Sequence, residues 1–146
     1  MIRTRPLAPE DAPVWRDLWR AYLDFYETEL PEPVYAASFS RLVDPQTDDY
    51  HGLLACDPDG RPVGLAHYIF HRHGWRPEGV TYLQDLYVTE AARGMGAGRA
   101  LIEAVYAAAD AAGRPQVYWL TQSFNTEARR LYDRIGAATP FVKYVR

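Results

Sequence analysis

Tyr82-Leu83-Gln84-Asp85-Leu86-Tyr87-Val88-Thr89-Glu90-Ala91-Ala92-Arg93-Gly94-Met95-Gly96-Ala97-Gly98-Arg99-Ala100-Leu101 joins a strand, a loop and a helix without interruption. The residues from Val80 to Val88 are rich in β-branched and aromatic side chains, as strands are. Three alternate glycines follow, and then Leu101, Ile102, Val105 and Ala108 recur at helical spacing within Ala97 to Ala112, with Gly113 placed to end the helix. A strand that feeds such a loop into a helix N-terminus offers backbone N–H groups and the positive end of the helix dipole to a phosphate. The missing Cβ atoms let the anion approach. The spacing is neither G-x-G-x-x-G nor G-x-x-x-x-G-K-[ST], since no lysine follows Gly98, so dinucleotide-binding and P-loop proteins are disfavoured.

Working outward, Met1 to Arg5 reads as a short strand stopped by Pro6. Asp11 offers an N-cap to a helix built on Val14, Leu18, Tyr22 and Phe25, widened by Trp15 and Trp19. A weaker helix starts at Pro33 and uses Tyr35, Phe39 and Leu42 before Asp44-Pro45 breaks it. His51 to Cys56 and Pro62 to His71 read as a hairpin around Asp57-Pro58-Asp59-Gly60, and Arg72 to Gly79 as a polar loop. Beyond the central helix, Gln116 to Thr121 is expected to be a strand, Thr126 to Arg134 a helix ended near Gly136, and Phe141 to Arg146 a last strand. The order β, α, α, β, β, β, α, β, α, β, with no repeat or linker, predicts one α/β domain over residues 1–146.

The 146 residues are 48% apolar, but no apolar run approaches the roughly 20 residues of a membrane span. With no apolar signal core at Met1-Ile2-Arg3-Thr4-Arg5 and a single cysteine, Cys56, the expectation is a cytoplasmic protein without disulfides. A net charge of −3 and a pI near 5.8 argue against nucleic acid as a partner. Residues 1–50 hold ten acidic and five basic side chains, and residues 51–146 nine and eleven. A cationic ligand is favoured by the first part and an anionic one by the second.

Arg93, Gly96 and Gly98 match an Arg-x-x-Gly-x-Gly motif after a hydrophobic strand. Val117-Tyr118-Trp119-Leu120-Thr121, Asn125, Ala128, Leu131, Tyr132 and Gly136 follow in register. This run of roughly 55 residues resembles the GNAT superfamily of N-acyltransferases. With Gly64-Leu65-Ala66-His67-Tyr68-Ile69-Phe70-His71 and the ending Lys143-Tyr144-Val145-Arg146, residues 62–146 look like the fungal acetyltransferases that act on histones, polyamines or D-amino acids, and their bacterial relatives. The resemblance implies a mixed central sheet of six to seven strands with helices on both faces. It implies acetyl-CoA as co-substrate, no metal, and direct transfer of the acetyl group to an amine. The pantetheine arm would follow the edge of Leu86, Tyr87 and Val88, at a bulge that splays two strands apart and turns a backbone N–H toward the thioester oxygen. Arg93, Gly94, Met95, Gly96, Ala97 and Gly98 would take the pyrophosphate, Asn125 the CoA arm, and Arg129 and Arg130 the adenosine phosphates. It also implies a homodimer joined through the C-terminal strand, which is aromatic and β-prone here.

By the same resemblance Tyr132 is the general acid. A phenol, with an ordinary pKa of about 10, keeps its proton at neutral pH and has it ready for a departing thiolate. The base is harder to place. An alkyl ammonium with a pKa of about 10.4 is neutral only about once in two to three thousand molecules at pH 7, a deficit of roughly 4 to 5 kcal/mol unless the site removes a proton. Polyamine-acetylating relatives carry Glu-Asp where this chain has Gln84-Asp85, and Gln84 takes no proton. Asp85 is the candidate base or ammonium anchor, although on a regular strand it and Gln84 face opposite ways. The acceptor is expected to be a small amine, cationic or zwitterionic, drawn by Asp24, Glu27, Glu29 and Glu32 between the first two helices. Tyr22, Tyr26 and Tyr35 would cover its methylenes. Gln84 and His71 join Tyr26 and Glu27 as substrate-binding candidates, and Arg72 or Arg76 would meet the carboxylate of an amino acid. His67, His71 and His73 share a strand face, yet no carboxylate or cysteine completes a metal site. The alternatives are a protein or peptide N-acetyltransferase and a non-catalytic CoA-binding regulator; Tyr132 counts against the latter.

Overall fold

The computed structural model describes residues 1–146. A central sheet is formed by β1 (Arg3–Pro6), β2 (Tyr50–Cys56), β3 (Pro62–His73), β4 (Arg76–Val88) and β5 (Val117–Tyr118), in that order across the sheet. β1 to β4 are antiparallel to their neighbours and β5 runs parallel to β4, so the sheet is mixed. Helices α1 (Ala12–Phe25) and α2 (Glu32–Val43) cover one face. Helices α3 (Ala97–Ala111) and α4 (Thr126–Ile135) lie on the other.

Alternation along the strands supplies both cores at once. Leu54, Cys56 and Leu65 meet Trp15, Leu18, Trp19 and Leu23 of α1 and Tyr35 and Leu42 of α2. The intervening Leu53, Ala55 and Ala66, with Leu83, meet Leu101, Ile102 and Val105 of α3. Trp15 stacks on Trp19 at 5.1 Å between ring centroids, and Tyr35 meets Trp19 edge-on at 5.2 Å. Tyr35 is therefore a core residue, and it does not line a substrate cleft.

Several expectations need correction. The sheet has five strands, because Phe141–Arg146 pairs with nothing within this chain and Phe141, Val142, Tyr144 and Val145 are largely exposed. The strand expected over Gln116–Thr121 shrinks to Val117–Tyr118, which pair with Thr81 and Tyr82. The polar loop expected over Arg72–Gly79 is largely strand, since β3 and β4 continue until His73 pairs with Arg76. Gly79 makes that continuation possible: it sits at φ +89°, and a Cβ there would lie 2.8 Å from the His71 carbonyl oxygen.

A bulge in β4 matters most for the site. His67 pairs with Asp85 and Tyr68 with Leu83, so Gln84 is an extra residue. Leu83 and Leu86 both pack toward α3 although they are three residues apart. Gln84 and Asp85, between them, therefore share the α1/α2 face. The bulge lies at Gln84, upstream of the Leu86–Val88 position expected from the resemblance.

Candidate active site

β5 leaves β4 after Tyr82, whereas β4 runs on to Val88. The edge of β4 from Leu86 to Val88 thus has a strand on only one side. A cavity of about 550 Å³ opens there. Its walls include Leu86, Tyr87 and Val88, the loop residues Arg93, Gly94, Gly96, Ala97 and Gly98, and Asn125, Leu131 and Tyr132 from the start and middle of α4. Tyr22 and Phe25 of α1 and Tyr26, its C-cap, complete the wall.

The glycine loop has two distinct functions. Gly96 is the N-cap of α3 at φ +86°, a conformation that a side chain disfavours, and the space where its Cβ would stand is empty. Gly98 lies within the helix, and a Cβ there would press on Leu131 Cδ2 at 3.2 Å, so it serves close packing of α3 against α4. Arg93, Arg99, Arg130 and Arg134 line the cavity against one carboxylate, Glu127, which gives this end a positive field. Asn125 accepts from the Ala128 backbone N–H at 3.4 Å, capping α4 while it lines the cavity.

Tyr132 faces the same cavity and packs edge-on against Trp119 at 5.5 Å. Burial, with Tyr26 nearby, pushes its pKa up to about 12, so its hydroxyl keeps its proton across the physiological range.

Asp85 lies behind this wall and not in it. Its Oδ2 accepts from His67 Nδ1 at 2.8 Å and from Trp19 Nε1 at 3.3 Å. The Trp15 indole N–H donates to His67 Nε2 at 2.8 Å, which leaves Nδ1 as the protonated ring nitrogen. Three buried side chains thus fix one carboxylate, His67 and Trp19 directly and Trp15 through His67. Tyr22, Tyr26, Tyr50 and Tyr82 surround it, and burial together with its negative charge raises the pKa of each of these phenols.

Of the residues singled out in the sequence, Leu86, Tyr87, Val88, Arg93, Gly94, Gly96, Ala97, Gly98, Asn125, Tyr132 and Tyr26 come together. Met95 is half exposed and lies off the cavity wall. Arg129 Nη1 donates to the Ser123 carbonyl at 2.8 Å, away from the cavity, and the wall positions fall to Arg130 and Arg134. His71 Nε2 bonds the Tyr118 hydroxyl at 2.7 Å and, with Arg72, borders a separate polar depression of about 270 Å³. His73 accepts from the Trp75 backbone N–H, so the three histidines occupy three different environments.

The acidic cleft does not form as expected. Glu32 pairs with Arg16, and Asp24, Glu27 and Glu29 are exposed residues outside the cavity wall. Tyr22, expected to cover the acceptor's methylenes, stands there as anticipated, together with Phe25, which the sequence marks only as part of a helical stripe.

Residues 13–137 match the model of the acetyltransferase (GNAT) family. The chain belongs to the GNAT acetyltransferase family. It is 42% identical over 146 residues to the D-amino-acid N-acetyltransferase HPA3 of Saccharomyces cerevisiae, covering 99% of this chain and 90% of the yeast protein. The aminoglycoside enzyme AAC(6')-Iy, solved with the bisubstrate analogue CoA-S-monomethyl-acetylneamine, shares the fold with a TM-score of 0.86 and 20% identity, covering 100% and 97% of the two chains. A ribosomal-protein-alanine N-acetyltransferase from Brucella melitensis biovar Abortus 2308 aligns with a TM-score of 0.80 and 20% identity, covering 100% and 99%. This GNAT chain is an acyltransferase. No helix in it is long and apolar enough to cross a membrane.

Proposed function

We propose that this enzyme uses acetyl-CoA to acetylate the primary amine of a small zwitterionic or cationic acceptor, with a D-amino acid as the first candidate. The observation that carries this reading is the continuous cavity from the arginines and Gly96 at the start of α3, along the one-sided edge of β4, to Tyr132, Tyr26 and Tyr22. The residues fit CoA. Arg93, Arg99, Arg130 and Arg134 suit its phosphates, and the open space at Gly96 admits a pyrophosphate to the helix N-terminus. Acetyl-CoA supplies an activated acetyl thioester. The backbone edge of Leu86–Val88 offers fixed N–H dipoles for the thioester carbonyl oxygen, and Tyr132 holds a proton for the departing sulfur. The 42% identity to a D-amino-acid N-acetyltransferase supports an amino acid as acceptor over a polyamine, as does the absence of carboxylates from the cavity's aromatic end.

Thiol release from acetyl-CoA, measured with D- and L-amino acids, lysine, spermidine and an amino-terminal peptide, tests this reading. An amino acid is expected to give the highest kcat/KM. A preference for the peptide would move the assignment to protein N-acetylation, and binding of CoA without turnover on any amine would make the chain a regulator.

A further inference from the structure

Two backbone hydrogen bonds show what the bulge does to β4. Thr81 donates its N–H to the Gln116 carbonyl at 2.8 Å, on the β5 side, whereas Thr89 donates to the Val63 carbonyl at 2.8 Å, on the β3 side. An even number of residues separates the two, so on an unbroken strand both N–H groups would face the same edge. The extra residue at Gln84 reverses the alternation between them. Counted back from Thr89, the Tyr87 N–H faces β3, and the N–H groups of Leu86 and Val88 face the open edge that borders the cavity.

Continued without the bulge, the register that pairs Tyr68 with Leu83 would set Gln84 opposite His67 and Asp85 opposite Ala66. Ala66 belongs to the core formed with Leu101, Ile102 and Val105, so that register drives a carboxylate into apolar surroundings. It would also turn the Leu86 and Val88 N–H groups toward β3 and leave that of Tyr87 at the cavity. In the observed register Asp85 stands opposite His67 and accepts from His67 Nδ1 at 2.8 Å and from Trp19 Nε1 at 3.3 Å. The Trp15 indole N–H donates to His67 Nε2 at 2.8 Å, and all four side chains are buried.

We propose that the Trp15–His67–Asp85 chain is the register key of β4: it holds the extra residue at Gln84 and so keeps the Leu86 and Val88 N–H groups aimed at the thioester carbonyl. This rests on the N-acetyltransferase reading above. His67 is absent from the cavity wall and is a positioning residue that acts through the backbone. The indole N–H on Nε2 leaves the ring's donor on Nδ1, which gives the imidazole one tautomer and one orientation. The chain also joins α1, which carries Tyr22 and Phe25 of the cavity wall, to the strand that carries its N–H edge.

The test compares His67→Leu, which keeps bulk and removes both polar contacts, with His67→Asn, whose amide nitrogen occupies the δ position and can still donate to Asp85. In His67→Leu kcat should fall about 100-fold, the scale of a misplaced oxyanion donor. Acetyl-CoA affinity by calorimetry should stay within about threefold, because the arginines and Gly96 are untouched. His67→Asn should recover kcat to within about tenfold of wild type even where its melting temperature is no higher than that of His67→Leu. Amide hydrogen exchange supplies the second readout: Tyr87 should exchange slowly in the wild type and in His67→Asn, and faster in His67→Leu. Equal kcat in the two variants, wild-type kcat in His67→Leu, or Tyr87 protection unchanged in both overturns the register key. Should His67→Leu fail to fold, Trp15→Phe takes its place, with kcat down about tenfold and Tyr87 exchange faster, and no change in either overturns the proposal. A wild type that acetylates no amine overturns the underlying function, while the exchange pattern still decides whether the chain sets the register.

Discussion

Replacing Tyr132 by phenylalanine removes one oxygen from the cavity and leaves the ring against Trp119, 5.5 Å away. No side chain or backbone group hydrogen-bonds that hydroxyl, so its loss should leave folding within a fraction of a kcal/mol of wild type. The catalytic cost follows from what the proton does. Burial lifts Tyr132 to about 12, above the ordinary thiol value of about 8.5, which would make proton transfer to sulfur uphill in water. The same buried setting also raises a thiolate formed beside it, which narrows the gap. Even with the proton only shared, a hydrogen bond to a developing charge contributes about 1.5 to 3 kcal/mol, or roughly 10- to 150-fold in rate. Complete transfer extends the loss toward about 10⁴-fold. Steady-state thiol release at saturating acetyl-CoA and acceptor should therefore show kcat down by at least about tenfold, with acetyl-CoA affinity unchanged by calorimetry. Because the hydroxyl holds its proton until about pH 12, any alkaline fall in wild-type activity between pH 8 and 10 must come from another group. Equal kcat in the two proteins would remove Tyr132 from the mechanism.

Gly96→Val should weaken acetyl-CoA binding more than about tenfold by calorimetry, because it strains a residue at φ +86° and fills the open space at the start of α3. Gly98→Val should instead lower the melting temperature through its contact with Leu131, and equal effects at the two positions would refute the division of labour. Tyr22, Tyr50 and Tyr132 all have folded pKa values raised above the unfolded value of about 10. Their neutral forms are favoured in the fold, so this contribution to stability is complete below pH 10 and is lost as pH rises from there through the folded values. Urea midpoints that hold at pH 8 to 9.5 and fall from pH 10 to 11 are expected, and a flat profile contradicts the linkage. For the C-terminal segment we propose pairing with a second copy: light scattering should give twice the 16.6 kDa of one chain, and removal of residues 137–146 should return the single-chain mass.

Elements governed by local chemistry were legible in the sequence. The stripe of α1, the Asp57–Gly60 turn and the glycine loop each announce themselves within a few residues, and the structure places them as expected. The arginines of α4 illustrate a signal only half used, since Arg130 lines the cavity as expected while Arg129 does not and Arg134 does. Glu127, Arg130, Leu131 and Arg134 lie at i, i+3, i+4 and i+7, one stripe of the helix, and Leu131 already marked the inward side. Arg129 is off that stripe by two helical positions from Leu131, and its guanidinium turns back to Ser123. The last strand was misread for a different reason. Aromatic, β-prone residues such as Phe141 and Tyr144 need a partner edge, and the sequence does not say whether one chain supplies it.

Asp85 was legible as a candidate, but its surroundings were not, because two nonlocal events create them. Strand alternation places Gln84 and Asp85 on opposite faces, and only the extra residue opposite the His67/Tyr68 step brings both to the α1/α2 side. Nothing in the strand's own composition marks that step, since its cause lies in the pairing of Leu83 and Leu86 with one core. The second event is the convergence of Trp15, Trp19 and His67 on one carboxylate across 52 to 66 residues of sequence. Read singly, the two tryptophans are core stripe and the histidine is one of three on a strand. Together they hold Asp85 by Oδ2. This placement also changes what the acidic N-terminal third is for. Its exposed carboxylates can attract a cation from solution, but an amine inside the cavity meets aromatic rings and hydroxyls, with one negative charge behind them. A site of that kind suits a single ammonium, and a polyamine's second charge would have no partner there. Selection among amines should therefore follow the number of charges carried into the cavity, with compact mono-amines favoured over diamines of the same length.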